Sequence, residues 1–123
     1  MTDERFAGVL QLLGAYGLLL DRLEVDAWLD LFAEPGVLDI NGHQLTTRDQ
    51  RRRLTERAPR GLHVTNLPVI DGDLAAGQVR ATSTFLFWNL GQATALAGWY
   101  DDELVRHADR WFFVHRRISF LEG

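Results

Sequence analysis

The chain has 123 residues and a formal net charge of −4 at pH 7, and it contains neither cysteine nor lysine, so all 13 basic residues are arginine. Its length fits a single domain, residues 1–123, with one hydrophobic core. The missing cysteines exclude disulfides, thiolate nucleophiles and cysteine metal sites, and the missing lysines exclude Schiff-base chemistry. The acidic balance argues against a nucleic-acid partner, whose phosphates need a basic face, and favours a small neutral ligand.

Membrane and secretion signals are not evident in the sequence. No apolar run approaches the roughly 18 residues of a membrane span. The first residues, MTDE, lack the basic and then apolar pattern of a signal peptide. We therefore expect a cytoplasmic protein with no membrane partner.

The first half of the chain predicts three helices. Apolar residues that recur at three- and four-residue steps predict amphipathic helices at residues 3–22 and 25–32. A turn at residues 35–36 closes the second of these helices. Thr47 and Gln50 fit a capping box, in which each side chain bonds a free backbone amide of the other residue, and this box opens the third helix.

The strands predicted for the chain are rich in Val, Thr, Phe, Trp and Leu, and they cover residues 36–41, 62–70, 74–89, 93–106 and 110–121. Short polar or glycine-containing turns, expected at residues 71–73, 90–92 and 107–109, make the last four strands antiparallel hairpins. The 16-residue strand exceeds the usual length and is expected to bend at a bulge. Helices followed by a meander predict an α+β fold with the helices on one face of a curved antiparallel sheet.

Three local patterns carry a family resemblance. They are LDRLEVDAWLDLF at residues 20–32, LHVTNL followed by DGDLA within residues 62–75, and GWYDD followed by RWFFVHRR within residues 98–117. In this order the chain resembles the SnoaL-like branch of the nuclear transport factor 2-like superfamily, which includes scytalone dehydratase and polyketide cyclases and is similar to the small subunits of ring-hydroxylating dioxygenases. The resemblance implies a cone-shaped sheet with three N-terminal helices on its concave face, an enclosed apolar pocket, and a homodimer formed through the sheet.

Asp21 and His63 are the first two candidate catalytic residues. They match the aspartate and the catalytic histidine of scytalone dehydratase, so the resemblance implies that Asp21 orients His63 and that His63 moves a proton without a cofactor. In the alternative interpretation, Asp21 forms an exposed salt bridge and His63 is a core histidine bonded to a backbone carbonyl. Phe85 and Phe87 stand nearest to the second pocket histidine of that enzyme, which favours a different, aromatic-walled ligand.

Three other carboxylates are weaker candidates. Asp39 falls where the ketosteroid isomerase and polyketide cyclase branches place their base, so the resemblance makes it a third candidate catalytic residue. If Leu38 and Ile40 face the pocket, however, Asp39 faces solvent, because strand side chains alternate. Asp101 and Asp102 lie near the second acid position of the family; at most one of them can face inward, and a solvated edge is expected for both.

Aromatic side chains are the candidates for ligand binding, namely Tyr16, Trp28, Phe85, Phe87 and Trp88. Phe87 and Trp88 lie near the open end of their strand, where they could stack on a flat ligand. The four histidines have no companions at metal-ligand spacing, so no metal site is expected. Six arginines in residues 48–60 are expected to form a solvated helix face.

The reaction class that these candidates favour is a lyase or isomerase that acts by acid–base chemistry on a hydrophobic, aromatic or polyketide-like small molecule. The alternative from another class is a non-catalytic ligand-binding or assembly module, whose working surface would be the aromatic back of the sheet. A third alternative is an epoxide hydrolase, which needs an Asp–Arg–Asp set that Asp21, Arg80 and Asp101 could supply.

Overall fold

The computed structural model describes residues 3–122, which form three helices and a seven-stranded sheet. In chain order the elements are α1 (Glu4–Asp21), α2 (Val25–Leu29), β1 (Phe32–Ile40), β2 (His43–Leu45), α3 (Arg48–Arg57), β3 (Gly61–Thr65), β4 (Val69–Asp73), β5 (Gln78–Asn89), β6 (Thr94–His107) and β7 (Arg110–Phe120). The predicted α+β class is confirmed. No helix among the described residues is long and apolar enough to cross a membrane.

The sheet has the strand order β2-β1-β7-β6-β5-β3, and β4 pairs with β5 beside β3. It is mixed rather than wholly antiparallel, because β1 pairs in parallel with β7. A parallel pair needs a long connection between its strands, and here residues 41–109, which include α3 and five strands, form that connection. No local turn signals such a pairing, which is why the sequence predicted only antiparallel neighbours.

The helices begin where the sequence predicts them. Asp3 caps α1 by accepting a hydrogen bond from the backbone N–H of Arg5, and the capping box of Thr47 and Gln50 is present at the start of α3. The second helix is shorter than predicted, because it ends at Leu29 and Phe32 already begins β1. The segment at residues 35–36 is therefore an irregularity inside β1, where the register with β7 shifts, rather than a turn after a helix.

Three predictions about the strands are wrong in detail. The strand expected at residues 62–70 is divided into β3 and β4 around Pro68, which has no N–H to donate to a ladder. The turn expected at residues 71–73 lies inside β4, and the chain turns instead at residues 74–77, where Asp73 accepts two backbone N–H groups. The expected bulge is absent from the regular β5–β6 ladder, and the register shifts instead between Glu103 and Leu104 in β6.

The core lies between α1 and the concave face of the sheet. Val9, Leu12, Leu13 and Tyr16 form the buried stripe of α1, as the three- and four-residue spacing predicts. Inward-facing residues of β5 alternate with exposed ones along the whole strand. The helices and this face leave a cavity at one end of the sheet.

Candidate active site

The cavity has a volume of about 190 Å³ and a mostly apolar wall. The helices contribute Leu20, Val25 and Leu54, and the sheet contributes Ile40, Phe85 and Phe87. The polar residues in the wall are Tyr16, Asp21, Thr55, Arg60, His63 and Tyr100. A concave apolar site with a few converging polar groups is the usual form of a small-molecule site.

Asp21 and His63 are in contact at the wall of this cavity. His63 Nδ1 lies 2.6 Å from Asp21 Oδ1, and the backbone N–H of His63 donates to Asp21 Oδ2 at 2.8 Å. Asp21 is the last residue of α1, and His63 is in the middle of β3. Since Nδ1 faces a carboxylate, the neutral imidazole carries its proton on Nδ1 and leaves Nε2 as the basic nitrogen.

A glycine in α1 makes this contact possible. A Cβ built on Gly17 would lie 2.6 Å from the Cβ of His63, closer than carbon atoms can pack. Phe87 packs its ring 4.7 Å from the imidazole, measured between centroids, and Tyr16 presents its ring edge-on at 6.2 Å. The apolar spacing of α1 does not single out Gly17, so its role as the point of close approach was missed.

Asp39 does not line the cavity. It is buried in β1, where it accepts the backbone N–H of Gly42 at 2.7 Å and lies 3.5 Å from the side-chain nitrogen of Gln44. The carboxylate therefore stabilises the β1–β2 turn. The alternation of side chains along the strand correctly predicted that Asp39 points away from the cavity. The solvent exposure predicted for Asp39 is wrong, because it is buried beside β2, a strand that the sequence did not predict.

Two of the five aromatic candidates are also outside the cavity. Tyr16, Phe85 and Phe87 line it, as expected. Trp28 is fully buried in the core against Tyr16 and Phe32. Trp88 alternates with Phe87, so it lies on the outer face of the sheet and is 43% exposed.

The three residues of the epoxide-hydrolase alternative do not meet in the structure. Arg80 is an exposed residue of β5 that lies 3.7 Å from the carboxylate of Glu103. Asp101 is half-buried in β6 and is not in the cavity wall. Asp21 therefore has neither partner beside it, and the Asp–Arg–Asp set that epoxide hydrolysis needs is not formed.

A buried ion pair, missed in the sequence, lies behind the cavity wall. Arg116 donates to both carboxylate oxygens of Asp102, at 2.9 and 3.2 Å, and both side chains are fully buried. The guanidinium carbon lies 3.5 Å from the ring centroid of Tyr100 and 4.1 Å from that of Tyr16. Burial raises the pKa of Asp102, and the charge of Arg116 opposes that rise. The solvated edge expected for Asp102 is wrong.

The arginine-rich helix α3 is only partly the solvated face that was expected. Arg48, Arg52 and Arg53 form exposed ion pairs with carboxylates. Arg51, in contrast, is fully buried, donates to the carbonyl of Gly36 at 2.8 Å and pairs with Glu34. This anchor holds α3 against β1, so that Leu54 and Thr55 form one wall of the cavity. No group of three or more potential metal ligands occurs within residues 3–122.

Both tyrosines of the chain are buried, which predicts an alkaline unfolding transition. Burial raises the pKa of Tyr16 to about 12 and raises that of Tyr100 as well. Because the folded pKa lies above that of an unfolded tyrosine, near pH 10, Tyr16 stabilises the fold below pH 10. This stabilisation, about 3 kcal/mol, is lost as the pH rises from about 10 to 12. We expect tyrosinate absorbance to appear together with loss of circular dichroism; tyrosinate forming near pH 10 in the folded protein would contradict this.

The fold and its cavity define the class of protein. A curved mixed sheet with helices on its concave face is the nuclear transport factor 2-like architecture, which solved structures also describe as cystatin-like. Residues 4–117 match the SnoaL-like domain, and the chain belongs to that family. No curated protein matches the sequence.

Three solved structures illustrate the likeness of the fold. Rv3472 of Mycobacterium tuberculosis, whose function is unknown, is 20% identical, with a TM-score of 0.86 over 95% of this chain and 72% of that one. A candidate scytalone dehydratase from Novosphingobium aromaticivorans is 18% identical, with a TM-score of 0.80 over 94% and 83%. The beta subunit of a candidate aromatic-ring-hydroxylating dioxygenase from the same organism is 17% identical, with a TM-score of 0.80 over 95% and 89%.

Proposed function

We propose that the protein is a lyase or isomerase that uses no cofactor and moves a proton on a hydrophobic, aromatic or polyketide-like molecule held in the cavity. The observation that carries the proposal is the contact of His63 Nδ1 with Asp21 in the wall of an apolar cavity. An oriented, largely buried imidazole in an apolar cavity is suited to general acid–base catalysis. The SnoaL-like family and the fold shared with a candidate scytalone dehydratase support the same reaction class.

Each step of a dehydration is within reach of one imidazole. His63 Nε2 accepts a proton from the carbon next to a carbonyl, and the C–H electron pair forms a carbon–carbon double bond. The C–O bond at the adjacent carbon breaks, and the proton passes from Nε2 to the departing hydroxyl, so that water leaves. In an isomerisation, the same proton returns to a different carbon. Asp21 keeps Nδ1 protonated and stabilises the imidazolium that forms between the two transfers.

The cavity wall favours a flat ligand. Phe85 and Phe87 project from alternate positions of β5 into the cavity, and Phe87 contacts the imidazole. Because phenylalanine stands at both positions, no second imidazole faces His63 from β5. One imidazole therefore both removes and returns the proton.

A bicyclic β-hydroxyketone provides the test. The wild-type protein is expected to accelerate the conversion of 3-hydroxy-1-tetralone into 1-naphthol and water, followed by ultraviolet absorbance, with saturation in substrate. In deuterium oxide it is expected to exchange the proton at the carbon next to the carbonyl of 1-tetralone, followed by NMR. If neither water loss nor exchange exceeds the rate in buffer, the proposed reaction class is wrong.

The outer face of the sheet supports a second proposal, that two copies of the chain associate. Leu62, Val64, Leu86, Trp88 and Trp99 are exposed there. The register places Leu62 beside Trp88 and Val64 beside Leu86, so the apolar side chains form a continuous surface. Contiguous apolar surface of this kind marks interaction sites. The family resemblance implies a homodimer formed through the sheet, so a second copy of this chain is the occupant that we propose.

Charge placed in this surface is expected to separate the two copies. Leu86→Arg would bury an unpaired guanidinium in the interface, so we expect a monomer in sedimentation equilibrium where the wild-type protein is a dimer. Thr82→Arg is the control, since it adds the same charge on the same face of β5 outside the apolar cluster. A wild-type protein that is monomeric at every concentration tested would contradict the proposal.

A further inference from the structure

The rim of the cavity differs from its interior in exposure and in charge. Five of the residues that line the cavity are exposed, and together they form the rim: Leu23, Ala58, Pro59, Arg60 and Leu96. The phenylalanines deeper in the wall, Phe85 and Phe87, are buried. Four members of the rim are apolar and one is a cation. A ligand that extends out of the cavity therefore meets apolar surface and one positive charge.

Leu23 holds a backbone conformation that glycine usually supplies. Its φ is +58°, in the left-handed region, directly after the end of α1. Its backbone N–H donates to the carbonyl of Leu20 at 3.0 Å, and the N–H of Glu24 donates to the carbonyl of Leu19 at 2.9 Å. Helices that end with these two hydrogen bonds favour glycine at the left-handed position, because a Cβ is unfavourable there. The leucine side chain gains little packing in return, since it is 52% exposed, so we look for its partner outside the folded chain.

Arg60 is the charged member of the rim, and it forms no ion pair with a carboxylate within residues 3–122. Its carbonyl accepts the backbone N–H of Leu90 at 3.0 Å, which fixes the chain at this point of the rim. The other charged groups in the wall, Asp21 and His63, bond each other. A planar guanidinium can donate two parallel hydrogen bonds to one carboxylate. Because the chain as a whole is acidic, attraction of an anion to the rim depends on this one side chain.

We propose that the rim binds the end of an elongated ligand, with Leu23 packed against an apolar chain and Arg60 bound to a carboxylate at its tip. The protein then selects aromatic molecules with an acidic side chain over neutral molecules of the same shape. This inference rests on the proposed function, because it takes the same cavity as the site of the aromatic ring. The carboxylate remains at the exposed rim, where water also solvates it, so it does not pay the cost of burial.

Binding of 5-phenylpentanoate and 5-phenylpentan-1-ol, which differ only in the end group, tests the role of Arg60 without turnover. We expect the wild-type protein to bind the acid more tightly than the alcohol in an NMR titration at neutral pH. Arg60→Gln should weaken binding of the acid roughly three- to fivefold, the range for a partly solvated ion pair, and leave the alcohol unchanged. Arg57→Gln is the matched control, since it removes the same charge from an exposed residue at the end of α3 that is outside the cavity wall.

The same two probes test Leu23. Leu23→Gly removes apolar surface from the rim and relieves the left-handed backbone, so both probes should bind roughly three- to tenfold more weakly. The midpoint of thermal unfolding should stay at or above that of the wild-type protein. Leu67→Gly is the control, because Leu67 is an exposed leucine outside the cavity wall, and it should leave both affinities unchanged.

The inference is overturned if the wild-type protein binds neither probe or does not prefer the acid. It is also overturned if Arg57→Gln lowers that preference as much as Arg60→Gln does. For Leu23, unchanged affinities or a lower unfolding midpoint in Leu23→Gly would show that the side chain serves the fold rather than the ligand. Turnover lost in His63→Gln with the acid preference retained bears on the reaction alone, whereas wild-type turnover of 3-hydroxy-1-tetralone without any acid preference overturns this inference alone.

Discussion

Replacing His63 with glutamine is expected to lower kcat for water loss from 3-hydroxy-1-tetralone by about 10²- to 10⁴-fold, the usual contribution of a positioned general base. Glutamine keeps a polar side chain of similar reach, but its amide cannot take a proton from carbon. KM should change little, because the apolar wall that holds the ligand is untouched. The measurement is steady-state kinetics by absorbance, together with thermal unfolding to show that the variant is folded.

The Asp21→Asn variant keeps the imidazole of His63 and changes only the group that orients it, so it tests whether activity depends on that orientation. The amide can present its NH₂ group to Nδ1, which favours the tautomer with the proton on Nε2 and removes the free base from the cavity. We expect Asp21→Asn to lose activity as His63→Gln does. The ¹⁵N NMR signals of the imidazole should show the changed tautomer. His107→Gln, at the exposed end of β6, is the control and should retain full activity. Wild-type rates in both His63→Gln and Asp21→Asn would show that this contact is structural.

Asp102→Asn is expected to lower the free energy of unfolding by about 3–5 kcal/mol, because it leaves the fully buried guanidinium of Arg116 without a counter-charge. The cost is large since no water reaches either side chain in the folded state. Asp101→Asn is the matched control on the adjacent position of β6. Asp101 is half-buried and lies 3.4 Å from the hydroxyl of Thr82, so its replacement should change the free energy of unfolding by less than about 1 kcal/mol.

The double variant Asp102→Leu, Arg116→Met distinguishes unpaired charge from lost packing. Replacing both members of a buried ion pair by apolar residues of similar volume is often neutral or stabilising. We therefore expect the double variant to recover most of the stability lost by Asp102→Asn, as measured by urea denaturation. If the double variant is as unstable as the single one, the contacts of the guanidinium with Tyr16 and Tyr100 are the main contribution of Arg116.

Secondary-structure elements that depend on residues close together in the sequence were predicted well. The start of α3 depends on Thr47 and Gln50, which are three residues apart, and the structure contains both hydrogen bonds of their capping box. The apolar stripe of α1 follows from helix periodicity alone. The parallel pairing of β1 with β7 joins residues about 80 positions apart, such as Leu38 and Arg116, and no local pattern encodes it.

The candidate site was predicted in part, and its errors have a common origin. The contact of Asp21 with His63 joins residues 42 positions apart and was expected from a family resemblance rather than from spacing. Asp39 was a candidate by family resemblance, and Trp28 and Trp88 were candidates by residue type; neither ground says which face of a strand or helix turns toward the cavity. Asp102 and Arg116 pair across β6 and β7, and the register that joins them was not predictable from either strand alone.

The sequence by itself determined the properties that depend on a few neighbouring residues, namely the helix starts and the apolar stripes. Its composition also excluded chemistry that needs cysteine or lysine. The tertiary structure decided which polar groups meet in the cavity. Gly17 shows the reason, because its missing Cβ matters only when β3 packs against α1 and brings His63 within reach of Asp21. A side chain acquires its partner and its burial from elements distant in the chain, so its function depends on packing that no local pattern specifies.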